Sequence, residues 1–120
     1  MTVVSVIGKI LFGMLFVGSG IGHFKNTNAM VGYAQYKKLP FAKFGVLASG
    51  VLLIVAPVLF IFSIAEVAAL ISLALFLVAT AVIFHQFWKE TDVNTKMNEQ
   101  IAFNKNMALA GAILVIISLL

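Results

Sequence analysis

Four long apolar runs constrain this chain more than any other feature of its sequence. They are Val3 to Gly22, interrupted only by Lys9; Phe44 to Phe62, with Pro57 inside; Ile64 to Phe84, with Glu66 in its first turn; and Ile101 to Leu120, with Lys105 near its start. A helix that spans a bilayer needs about 20 mostly apolar residues, and each run meets that length. Backbone groups in hydrocarbon must bond internally, and these runs do not alternate as barrel strands do. The expectation is an all-α, integral-membrane four-helix transmembrane bundle in one domain, with helices at about 3–22, 44–62, 64–85 and 96–120. Composition excludes the alternatives. Of 120 residues 62% are hydrophobic and 10% charged, where soluble domains average about 45–50% apolar and 25% charged. A soluble enzyme, a disordered chain and a disulfide-rich scaffold are thereby ruled out, and the absence of cysteine removes thiol chemistry and Cys-ligated metals.

The net charge of +4 comes from eight lysines against four acids, with no arginine. It does not read as a nucleic-acid footprint, because the lysines sit between apolar runs as topology signals do. Lys25, Lys37, Lys38 and Lys43 follow the first run; Lys89 and Lys96 follow the third, with Lys105 just inside the fourth. The opposite side has Lys9 alone, which can snorkel. The positive-inside rule therefore places the long loops 23–43 and 86–100 in the cytoplasm and both termini outside. The first run lacks a basic n-region and an A-x-A-like site, so it is expected to persist as a helix. Ser63 and Glu66 have the spacing of a capping box. Asn28 is expected to cap a short interfacial helix running to the Tyr36-Lys37-Lys38 edge, and Leu39-Pro40 to lead into the next span. Pro57 is expected to kink its helix, and Gly18 to Gly22 forms a G-x-x-x-G suited to close helix packing.

Both histidines lie on the loop side. Helical spacing groups His23 with Gly20, Phe16 and Gly13, and His85 with Ala81, Val78 and Ala74. With Asn104, Lys105 and Asn106 at a similar depth, they define a candidate pocket walled by Phe24, Phe84, Phe87, Trp88 and Phe103. Such a pocket suits the carbonyl oxygens of a quinone or a lipid head group. The same residues also read as interfacial anchors, since membrane boundaries select Trp, Lys and His. Two histidines without nearby acids make a poor metal site, and interfacial depth argues against haem, so no metal is expected. No phosphate loop, G-x-S-x-G, H-E-x-x-H or carboxylate pair is present.

The stretch Ile83-Phe84-His85-Gln86-Phe87-Trp88-Lys89, followed by Phe103-Asn104-Lys105-Asn106-Met107-Ala108-Leu109-Ala110-Gly111, resembles the signature of the DoxX family. In that family a His-x-Phe-Trp ends helix three and a Phe-x-Lys-Asn-x-Ala-x-x-Gly opens helix four. The glycine-rich first helix ending in Gly20-Ile21-Gly22-His23-Phe24 and the Leu39-Pro40 entry to helix two are similar as well. The resemblance implies a four-helix protein of the bacterial inner membrane, supporting quinone-linked redox chemistry by binding a quinone or lipid head group. By resemblance its site would comprise His85, Trp88, Lys105 and Asn106, to which the pocket read from spacing adds His23, and a second membrane subunit would be a partner. The alternative it leaves is a non-catalytic accessory subunit of a larger membrane complex. The Glu that the family usually carries in helix two has no counterpart in Ala48-Ser49-Gly50-Val51-Leu52, so no proton-handling role carries over.

Overall fold

A computed structural model describes residues 2–120. The fold is all-α, with no strand among the described residues: α1 (Val3–Lys25), α2 (Thr27–Tyr36), α3 (Ala42–Ile61), α4 (Glu66–Phe84) and α5 (Val93–Leu119), with a 3₁₀ turn at Phe87–Lys89. Four of these helices, all but α2, are long and apolar enough to cross a membrane, as a multi-pass membrane protein requires. The chain divides into two compact units, Met1–Ser72 and Leu73–Leu120.

In the first unit, α1 begins at Thr2, whose hydroxyl accepts from the Ser5 N–H at 3.1 Å. Its buried face is Gly13, Phe16, Gly20 and His23, the helical stripe expected from spacing. That face packs on α3 at very short range. A Cβ added at Gly20 would lie 2.7 Å from Ile54 Cγ1 and 2.9 Å from the Gly50 carbonyl oxygen. One added at Gly50 would lie 3.0 Å from His23 Cβ. Hydrophobic drive between helices is absent in lipid, so dispersion across such approaches holds them together. Phe12 completes the contact edge-on to Phe60, with ring centroids 5.8 Å apart. The G-x-x-x-G at Gly18 and Gly22 takes no part, since neither glycine has a neighbour within 4 Å of an added Cβ. Gly13 and Gly20 are two turns apart and share the face that Gly18 and Gly22 do not. Pro57 lies fully buried within a helix that runs unbroken from Ala42 to Ile61.

The connections depart from the sequence reading at three places. The short helix starts one residue before Asn28, at Thr27, whose hydroxyl bonds back to the carbonyls of His23 (2.8 Å) and Phe24 (2.9 Å). Pro40 does not open α3. The helix begins two residues later, at Ala42, behind Phe41 in the left-handed conformation (φ 52°). The capping box is not formed either. Ser63 is the left-handed residue (φ 58°) of a Schellman turn closing α3, in which Ser63 N–H donates to Phe60 O and Ile64 N–H to Leu59 O. With its backbone so turned, the Ser63 hydroxyl meets α1 instead, accepting from Lys9 Nζ at 2.9 Å. Lys9 Nζ also lies 3.8 Å from Glu66 Oε1 and 4.8 Å from the centre of the Phe60 ring. A charge held among apolar spans is costly unless paired, and here the ion pair, a hydroxyl and an aromatic face share that task.

In the second unit, α4 buries Leu73, Leu77 and Ala81, whereas Val78 is exposed. The inward line is thus rotated from the one expected through Val78. α5 begins at Val93, three residues earlier than expected, because Asp92 caps it: Oδ2 accepts from both the N–H and the hydroxyl of Thr95 at 2.9 Å. Its 27 residues extend about 40 Å, longer than the roughly 30 Å hydrocarbon layer, and the first two turns are polar and exposed.

Two outcomes test this account. Gly20→Ala lowers thermal stability in detergent by about 1–3 kcal/mol, as overpacking does, while Gly18→Ala leaves the melting temperature in place. The Thr95 N–H, and after it the Thr95 hydroxyl, hold the Asp92 carboxyl below the usual carboxylate range. A lowered folded-state pKa means the cap stabilises fully above the unfolded value of about 4 and fades as pH falls through the folded one. The protection of the Thr95 amide against hydrogen exchange, relative to its intrinsic rate, therefore falls on acidification below about pH 4, and Asp92→Asn removes that pH dependence.

Candidate functional site

The second unit collects polar and aromatic side chains where α4 ends and α5 begins. α4 stops at Phe84; His85 still donates its N–H to Ala81 O, and the chain then tightens into the 3₁₀ turn. That turn packs on α5. Phe87, Trp88 and Phe103 pack edge-to-face in a closed triad, with centroid distances of 5.3, 5.4 and 5.8 Å. Each ring presents its positive edge to another's negative face. Trp88 remains half exposed.

His85 Nδ1 lies 3.5 Å from Glu99 Oε2, and both side chains are mostly buried. At that separation neither atom completes a hydrogen bond, so each is a buried polar atom without a partner. The sequence reading had placed His85 without an acid nearby; Glu99 corrects it. The error had a physical source. Glu99 fell within the expected helix 96–120, but spacing alone does not tell which face of that helix meets α4. In the structure Glu99, Phe103, Asn106, Ala110 and Ile113 form one stripe of α5 at four- and three-residue spacing.

Asn106 sits on that stripe, buried, and its amide nitrogen donates to Leu77 O (3.2 Å) and to Thr80 Oγ1 (2.9 Å). The Thr80 hydroxyl in turn donates back to the carbonyls of Phe76 and Leu77. Asn106 is therefore engaged in tying α5 to α4. Thr80 went unnoticed in the sequence reading; a hydroxyl within an apolar run was the available signal. Lys105, adjacent in sequence, is exposed along with Asn104. Consecutive helical residues point about 100° apart, which separates Lys105 from the Asn106 side of the helix.

His23 belongs to the first unit. It is buried, and its Nδ1 lies 2.7 Å from the carbonyl of Ser19. A carbonyl only accepts, so Nδ1 carries the proton and orients the ring. The Phe24 ring, expected to wall a pocket, lies over Gly50, 3.0 Å from the position of an added Cβ. Among the described residues no group of three or more His, Cys, Asp or Glu is placed to hold a metal ion. No family model matches the chain, and neither a curated protein nor a solved structure does.

The Asn106–Thr80 bond is measurable. Across a double-mutant cycle of Asn106→Ala and Thr80→Val, the coupling energy should be about 0.5–1.5 kcal/mol, the range found for polar contacts between membrane helices. Lys105→Ala should leave stability unchanged in the same assay.

Proposed function

We propose that this multi-pass membrane protein is DoxX-like. On this reading it holds a quinone, or a lipid head group of similar carbonyl chemistry, beside His85, and supports quinone-linked redox chemistry in the bacterial inner membrane. The observation that carries this reading is the His85–Glu99 pair: two mostly buried polar groups, each short of a hydrogen bond, next in sequence to an aromatic triad. A protonated imidazole nitrogen donates to a quinone carbonyl, and a carboxylate accepts from a hydroquinone hydroxyl, so the pair has a partner for either form. Phe87, Trp88 and Phe103 supply flat apolar edges for the ring. Asn106 holds the supporting helix in place, and exposed Lys105 is left for the head-group layer. The lysines after α1 and α4 support a cytoplasmic position for those connections, by the positive-inside rule.

A second reading has its own observation. Gly18 and Gly22 leave a glycine ridge on α1 with nothing packed in it, a surface that accepts the helix of another membrane subunit. The chain would then be an accessory subunit, and a stoichiometric partner with no retained quinone would favour it.

Trp88 is the only tryptophan, so its emission reports on the site directly. Titrating a short-chain quinone into the full chain in nanodiscs should quench Trp88 saturably. His85→Ala should raise Kd roughly tenfold, the loss of one good hydrogen bond, while Glu66→Gln leaves it unchanged. Non-saturating quenching, or equal effects of the two variants, would overturn the assignment.

A further inference from the structure

The corner joining α2 to α3 is built in a way that its backbone alone does not favour. α2 ends in a Schellman turn: Lys38 N–H donates to Gln35 O and Leu39 N–H to Ala34 O. The left-handed position of such a turn belongs ordinarily to glycine, yet here it is Lys38, with φ 61°. Three residues on, Phe41 is left-handed as well, and 85% exposed. Two side chains are thus kept where a glycine would cost less. Strain of this kind persists where the surrounding structure holds it in place, and it clusters at ligand sites.

What surrounds them indicates the use. Lys37 at the α2 terminus has its ammonium 5.7 and 5.9 Å from the Tyr33 and Tyr36 ring centres, a stacking that keeps the charge at the corner. Lys43 lies in the first turn of α3 and is exposed. Between residues 10 and 65 the chain has Lys25, Lys37, Lys38 and Lys43 and not one acid, so these ammonium groups have no counter-charge within that stretch. Tyr36 and Phe44 are exposed beside them, at 78% and 75%. Exposed rings next to lysines, between the end of one candidate span and the start of another, match the head-group layer and not open water.

We propose that this corner is a binding site for an anionic phospholipid. Lys37, Lys38 and Lys43 neutralise its phosphodiester, and Tyr36, Phe41 and Phe44 rest against its glycerol and upper acyl chains. A juxtamembrane lysine cluster has this preference by charge alone. The left-handed Lys38 and Phe41 make it a local site instead of a diffuse attraction. An acidic protein partner would use the lysines but would have no call for three rings at the level of the lipid.

The full chain, stripped of lipid in mild neutral detergent, is titrated with phosphatidylglycerol or with phosphatidylcholine of the same acyl chains. Binding is read by native mass spectrometry and by melting temperature. Phosphatidylglycerol should remain bound at one per chain and raise the melting temperature, with little retention of phosphatidylcholine and a loss of the preference in high salt. Lys38→Gly and Phe41→Gly relieve the left-handed strain. They should raise the melting temperature without lipid while weakening phosphatidylglycerol binding about fivefold or more; Lys96→Gln, near the start of α5, should change neither. Equal retention of the two lipids would overturn the site, as would Lys38→Gly and Phe41→Gly variants that bind phosphatidylglycerol normally. Capture of an acidic protein in place of lipid would do so too. Trp88 quenching by quinone is unaffected by these variants, so the two readings fail separately.

Discussion

A bilayer offers no water to a polar group, and every notable contact in this protein follows from that constraint. Helices close their own backbone hydrogen bonds, which is why the apolar runs take no other form. The polar side chains within them then need partners of their own. Lys9 finds the Ser63 hydroxyl and the Glu66 carboxylate, Asn106 finds Thr80 and the Leu77 carbonyl, and His23 turns back to Ser19. The first two tie separate segments together, where apolar side chains gain nothing by leaving lipid for one another, while the third closes within α1.

Where the same constraint is left unmet, chemistry becomes legible. Glu66 Oε2, His85 Nδ1 and Glu99 Oε2 are the buried side-chain atoms without a hydrogen bond among the described residues. Glu66 has its lysine close by, which answers for its charge. His85 and Glu99 face each other at a distance that satisfies neither, beside an aromatic triad, and that combination singles out the end of α4. Strain follows a related logic at the turns. Ser63, left-handed, spends its side chain on Lys9, whereas left-handed Lys38 and Phe41 direct theirs outward.

Much of the fold was readable from the residues. Run length placed four apolar helices to within a few residues, and the spacing of Gly13, Phe16, Gly20 and His23 picked out the buried face of α1. The local turns were not readable in the same way. Ser63 and Glu66 have a capping spacing, and so does Asn28; whether such a side chain caps depends on the backbone angle at that residue, which distant contacts can decide. The G-x-x-x-G of Gly18 and Gly22 stays out of the α1–α3 contact for a similar reason, since a motif records spacing but not which face meets a neighbour. Of the candidate site, His85, Trp88 and Asn106 stand out in the sequence as polar or aromatic residues near the ends of apolar runs. Glu99 and Thr80 were missed, because their roles depend on how α5 lies on α4.

The sequence by itself determined that this chain is helical, that four of its helices are long and apolar enough to cross a membrane, and that its lysines gather in two connections. Those properties depend on run length and charge position, which are local and survive any packing. Only the tertiary structure decided which glycines touch, that Lys9 answers Glu66 through the Ser63 turn, and that His85 faces Glu99. Each of those requires two segments far apart in the chain to arrive at one place, and within lipid that arrival is settled by fit between surfaces and not by hydrophobicity, which is nearly the same on every face.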